Sequence, residues 1–184
     1  MPITVDAGLV EHAKQDGGAL ELLVAAVWPE AYRLAWGILR DPGLAEDAAQ
    51  EATARIARSL TTLKEPTAFR SWGYRIIVNA ALTVARHRPV AQSLTALEER
   101  GAFDDPSDAI DLYDALAALT PERRALVLLH YYAGLSAAEI AIAVALPAST
   151  VRFQLMLARR ALRKALSTTE DRSAHFSTEV LHDV

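Results

Sequence analysis

The amino-acid sequence predicts an all-α protein of two small helical domains joined by a flexible acidic linker, the C-terminal domain being a helix-turn-helix. Three observations point there. The 184 residues are rich in Ala, Leu, Arg and Glu, with glycine and proline at only 8 each; such side chains lose little freedom on entering a helix. No apolar-polar alternation runs long enough to suggest a sheet. Between Arg88 and Pro106 (RPVAQSLTALEERGAFDDP) the helical periodicity lapses around Pro89, Gly101 and Pro106 and the composition changes. The chain thus divides into a first domain over 8–88, a linker over 89–108, a second domain over 109–167 and a tail over 168–184.

In the first domain, Ala19 to Val27 and Pro29 to Leu39 read as two helices, with Pro29 placed where a helix begins without losing a hydrogen bond. Asp41-Pro42-Gly43 reads as a turn. From Leu44 to Leu60 the apolar residues fall at Ala45, Ala49, Ala52, Ile56 and Leu60, one buried helical stripe. Asp47, Gln50 and Glu51 then share the exposed face at i, i+3 and i+4. After a turn at Lys64–Pro66, a helix spans Phe69 to Arg86 and sets Trp72, Arg75 and Asn79 on one face.

The second domain is more sharply punctuated. Thr120-Pro121-Glu122 offers a cap, a proline at the first helical position and an acid in the first turn. That helix ends at Ala133-Gly134, where glycine suits a left-handed terminus. Ser136 with Glu139 makes a capping box for a short helix, Ala137 to Val144. Leu146-Pro147-Ala148 turns the chain, and Ser149 or Thr150 caps a third helix to about Leu166. Short helix, tight turn and longer helix form the arrangement whose last helix enters the major groove. Its apolar stripe is Val151, Leu155, Ala158, Leu162 and Leu166; its other face carries Arg152, Met156, Arg159 and Arg163, with Phe153 and Arg160 beside them. Arginines confined to the solvent face suit phosphate contact, though an arginine-rich surface helix is the plain alternative.

The net charge of −4 conceals a pattern: a basic stretch from Lys64 to Arg88, an acidic one from Glu98 to Asp114, and only positive charges from Ala148 to Leu166. With no cysteine there is no disulfide, thiolate metal site or cysteine nucleophile. The five histidines lack ligand spacing and no glycine loop cradles phosphate, so neither an enzyme nor a cofactor is expected. The N-terminus lacks the pattern of a signal peptide, and no long apolar run suggests a membrane span; a cytoplasmic protein without membrane contact is expected.

Both halves together carry a resemblance. ALTPERRALVLLHYYAGLSAAEIAIAVALPASTVRFQLMLARRALRKAL resembles the fourth conserved region of extracytoplasmic-function sigma factors of RNA polymerase, in its LTPERR opening, YYAGLSAAEIA passage, P-x-S-T-V turn and ARRALR ending. Upstream, LRDPGLAEDAAQEATARIARSL and FRSWGYRIIVNAALTVARHR resemble the second conserved region, with its A-E-D-x-x-Q-E stretch and W-x-x-R-I-x-x-N. The resemblance implies a promoter-specific initiation factor that binds core RNA polymerase and promoter DNA and assists melting. It implies that Asp47, Gln50 and Glu51 dock on the clamp helices of the largest subunit, and that the second domain meets the polymerase flap. Trp72, Arg75, Asn79, Arg86 and Arg88 match the reader of the melted minus-ten element, where stacking faces, amides and arginines hold unpaired bases. Ser149, Thr150, Arg152, Phe153, Gln154, Met156, Arg159 and Arg160 match the reader of the minus-thirty-five element. An anti-sigma factor is the expected regulator.

The chain also departs from the family pattern. Thr83 stands where an acid usually follows the asparagine, and Gly73 where leucine usually follows the tryptophan; a glycine there should loosen the helix by up to about 1 kcal/mol. Gln154, Met156 and Leu157 replace residues that are commonly Arg or His, with Gln154 able to read adenine and Phe153 and Met156 able to touch thymine methyls. The altered recognition helix keeps open a sigma-like mimic acting mainly through protein partners, and a helix-turn-helix regulator of another class, sharing that motif alone, is the other rival. Trp72 and Tyr74 are also candidates for core, and Glu51 for an ordinary surface pair with Arg55. The tail is expected to be disordered, or else a short docked helix around His175, Phe176, Val180 and Leu181.

Overall fold

The computed structural model describes residues 3, 5–87 and 115–179, with 167–179 described by backbone course alone; Arg88, the expected linker, the first residues of the second domain and 180–184 lie outside the described residues. Among the described residues all regular structure is helical. The N-terminal half holds α1 (Ala7–Ala13), α2 (Gly17–Leu39), α3 (Pro42–Ser59) and α4 (Phe69–His87). Asp6, Asp16 and Asp41 cap the first three, their carboxylates accepting from Leu9 N, Ala19 N and Leu44 N.

Two boundaries differ from expectation. Pro29 does not open a helix; α2 runs through it for 23 residues. Pro29 and Ala25, whose carbonyl loses its partner, both lie exposed, where water can replace the missing bond. Nor is Asp41-Pro42-Gly43 a turn. Arg40 alone reverses the chain in a left-handed conformation (φ 57°), and Pro42 is the first residue of α3.

The core of this half follows the expected stripe. Ala45, Ala49, Ala52, Ile56 and Leu60 are at most 1% exposed. The three alanines let α3 lie close along α2, where Leu23, Val27, Leu34 and Ile38 are buried. α4 closes the bundle with Ile77, Val78 and the fully buried Tyr74. The length and mean apolarity of α2 would suit a membrane span, yet much of it is buried in this bundle.

The C-terminal half holds α5 (Pro121–Val127), a wider π-type turn at Leu128–Tyr132, α6 (Ala137–Val144) and α7 (Ala148–Glu179). Gly134 takes φ +68° as expected, and Leu135 N donates to Leu129 O across it at 2.9 Å. The Ser136–Glu139 capping box forms in both directions. α7 departs from expectation at both ends. It begins at Ala148, with Val151 N donating to Pro147 O, so Ser149 and Thr150 occupy its first turn instead of preceding it. It then continues past Leu166 as one helix to Glu179, where disorder or a separate docked helix was expected.

The two halves do not stand apart. One apolar cluster runs from Ile3 through Ala158. α2 approaches Leu128 so closely that a Cβ on Gly37 would sit 2.8 Å from Leu128 Cδ1. α4 packs against α6 as well.

Candidate nucleic-acid and polymerase interface

α3 presents Asp47, Gln50 and Glu51 to solvent because its apolar stripe turns the other way. Gln50 donates to Glu46 at 3.3 Å. Glu51 accepts from Arg55 and, at 3.5 Å, from Arg58; the Arg55 bond holds its carboxyl below the usual carboxylate range. The face is therefore acidic and charged at neutral pH. The surface pair with Arg55 is real, and it leaves the face exposed.

On α4 the expected face forms, with Arg75 and Asn79 exposed and Trp72 half-buried against Phe69 at a ring separation of 5.8 Å. Arg86 donates to Thr83 Oγ1 at 3.2 Å, and Thr83 in turn donates to Asn79 O at 2.7 Å. Arg88 lies outside the described residues. Tyr74 belongs to the core: its hydroxyl donates to Glu30 and accepts from Ile3 N, each at 3.0 Å, and burial pushes its pKa up. Asn79 has a partner that the sequence did not disclose, because its Nδ2 donates to Ala143 O of α6 at 3.3 Å.

On α7, Arg152, Phe153, Met156, Arg159 and Arg160 are exposed and Val151, Leu155 and Ala158 are buried, the division expected from periodicity. Phe153 and Met156 are each 54% exposed. Ser149 is exposed and Thr150 half-buried in the first turn. Two residues outside the helix join this site. Arg123 Nε donates to Gln154 Oε1 at 3.0 Å, and Arg159 lies 5.3 Å above the ring of Tyr131 while donating to its hydroxyl. Sequence reasoning passed over both partners, which lie about 30 residues upstream; an aromatic near a helix end was the only available signal. No His/Asp/Glu group fit for a metal occurs among the described residues.

The geometry is thus an exposed acidic face on α3 and two basic faces on α4 and α7. Residues 23–89 match the family described as Sigma-70 region 2, and residues 109–162 match Sigma-70, region 4. The chain is 30% identical to the RNA polymerase sigma-H factor of Pseudomonas aeruginosa, over 88% of this chain and 93% of that one. It belongs to the sigma-70 family of RNA polymerase sigma factors. The ECF RNA polymerase sigma-E factor of Escherichia coli is also 30% identical, over 85% of this chain and 92% of that one, which places this chain in the extracytoplasmic-function group. The fold resembles that of the sigma factor RpoE of Bartonella quintana, solved in complex with the anti-sigma factor NepR (TM-score 0.65, 19% identity, 80% of this chain and 96% of that one). This sigma factor is accordingly a promoter-specific transcription initiation factor that binds core RNA polymerase and promoter DNA.

Proposed function

We propose that this sigma factor divides its work among three surfaces. Asp47, Gln50 and Glu51 dock on the basic clamp helices of the polymerase largest subunit, where an exposed acidic face on a rigid helix gives complementarity. Trp72, Arg75, Asn79, Arg86 and Arg88 hold the unpaired minus-ten strand, the aromatic by stacking, the amide at a base edge and the arginines along the backbone. The first turns of α7, from Ser149 to Arg160, enter the major groove of the minus-thirty-five element. Domain extents of 8–88 and 109–167 accompany this division, with 89–108 as the connection and the flap as the second polymerase contact. The chain needs no cofactor and performs no catalysis of its own. It works in the cytoplasm, and an anti-sigma factor restrains it.

The supporting observation is the pairing of an exposed acidic α3 with an α7 whose described solvent-facing charges are all positive. Run-off transcription with purified core enzyme, on promoters selected from a random library, should give specific starts. No specific initiation on any promoter would instead favour the mimic, a reading supported by Phe153, Gln154 and Met156 in the recognition helix.

A further inference from the structure

We infer that Arg123 of α5 sets the base preference of Gln154 in α7. It holds the Gln154 amide by its oxygen, so that only the NH2 end is offered to DNA and guanine is read ahead of adenine. The inference rests on the proposed role of α7 as the minus-thirty-five reader. Arg123 Nε donates to Gln154 Oε1 at 3.0 Å. Chemistry decides which end of the amide faces the guanidinium, because arginine carries donors only and a donor needs the carbonyl oxygen opposite it. Gln154 Nε2 is left as the other end, with no protein partner among the described residues.

Both partners are held by their helices. Thr120 Oγ1 accepts from Arg123 N at 3.4 Å, which pins Arg123 in the first turn of α5. Val151 and Leu155 are buried, which fixes the rotation of α7 and leaves Gln154 half-buried at the flank of the exposed face. α5 and α7 pack against each other. An unrestrained glutamine reads adenine with both ends of its amide, Oε1 accepting from N6 and Nε2 donating to N7. Here one lone pair of Oε1 is taken, and the positive guanidinium beside it opposes a second donor such as the adenine amino group. The same charge polarises the amide and strengthens the Nε2 hydrogens as donors. Guanine, with O6 and N7 both acceptors in the major groove, suits such a group; adenine and cytosine, which place an amino group there, do not. Thymine, with one acceptor and a methyl group, falls between. The bond exists before DNA arrives, so the side chain loses less freedom on binding. Arg123 is thus a positioning residue, selecting among bases through the side chain it holds.

The test is promoter selection by the holoenzyme from a library randomised through the minus-thirty-five element, scored by run-off transcription of the selected sequences. The position read by Gln154 is the one whose base preference Gln154→Ala flattens. There the wild type should favour guanine over adenine. Arg123→Met removes the donor, keeps an unbranched side chain, and should raise adenine relative to guanine roughly tenfold, the size of one good base contact. Arg123→Glu places a carboxylate oxygen where Nε stood, since each is bonded to Cδ. The amide must then turn over, with Nε2 donating to the carboxylate and Oε1 facing DNA. Preference should pass to cytosine or adenine, whose amino groups donate. An arginine that merely supported the fold would, when replaced, lower transcription on every sequence alike. That outcome with both variants, preference unchanged, would overturn the inference. So would a Gln154→Ala that flattens no position while Arg152→Ala or Met156→Ala changes one, and α7 would then keep its role as reader. If none of these three changes any position, the minus-thirty-five assignment itself fails and the inference with it.

Discussion

Asn79, proposed to read a base edge, already has a structural partner. A mid-helix amide suggested base reading because no structural purpose was evident, and the structure then supplied one in Ala143 O, 64 residues away. Long-range partners of this kind carry no local signal. Asn79→Ala in the holoenzyme should nonetheless impair open-complex formation, read by permanganate reactivity of unpaired thymines, while leaving core binding within about twofold of wild type, because a lost base contact acts after docking. Equal losses in both assays would assign Asn79 to folding alone. The α3 face was fully legible, since exposure follows from the stripe Ala45–Ala49–Ala52–Ile56. Asp47→Lys with Glu51→Lys should weaken core binding about tenfold or more in a pull-down titration, without loss of helical circular dichroism, because neither side chain is buried. Unchanged affinity would remove the docking assignment.

Single elements announce themselves by their ends, and this chain is well capped. Thr120, Ser136 with Glu139, and Gly134 were legible because each satisfies orphan backbone groups by local chemistry. Pro29 and the start of α7 were not, because an exposed proline is tolerated inside a long helix and the capping types at Ser149 and Thr150 serve equally in a first turn. Gly73 is the weak point anticipated in α4. It is buried, and a Cβ there would lie 3.7 Å from Ile3 Cδ1 and 4.0 Å from Phe69 Cε1, ordinary contact distances. Gly73→Ala should therefore stabilise by about 0.5–1 kcal/mol, measured as a higher urea midpoint with unchanged slope; destabilisation would mean that α4 needs the glycine for close approach. The capping box has a pH signature. Bonds from the Ser136 hydroxyl and amide depress the Glu139 pKa, so its contribution to stability is present above the ordinary carboxylate range and is lost as pH falls through the lowered folded value. Glu139→Gln keeps an acceptor at that position and cannot titrate. The melting-temperature gap between wild type and Glu139→Gln should narrow on acidification; a gap independent of pH would show that the charge contributes nothing.

Across the whole molecule, the sequence revealed two helical sets but not their packing, because a break in periodicity says where chain segments end and nothing about whether they touch. The contact is built from Gly37 and Leu128, from the Glu30–Arg33–Tyr132 cluster and from a core that runs through both halves. Bodies that share a core unfold together, whereas domains tied only by a linker melt one by one. The chain contains its own probes for the difference. All three tryptophans, Trp28, Trp36 and Trp72, lie in the N-terminal half, so their fluorescence reports that half alone, while far-ultraviolet circular dichroism reports the helices of both. The two signals should give coincident urea transitions for the wild type. Gly37→Val, which drives a branched side chain into Leu128, should separate them, with the dichroism losing amplitude before the fluorescence moves. Separate transitions in the wild type would mean that the halves are energetically independent.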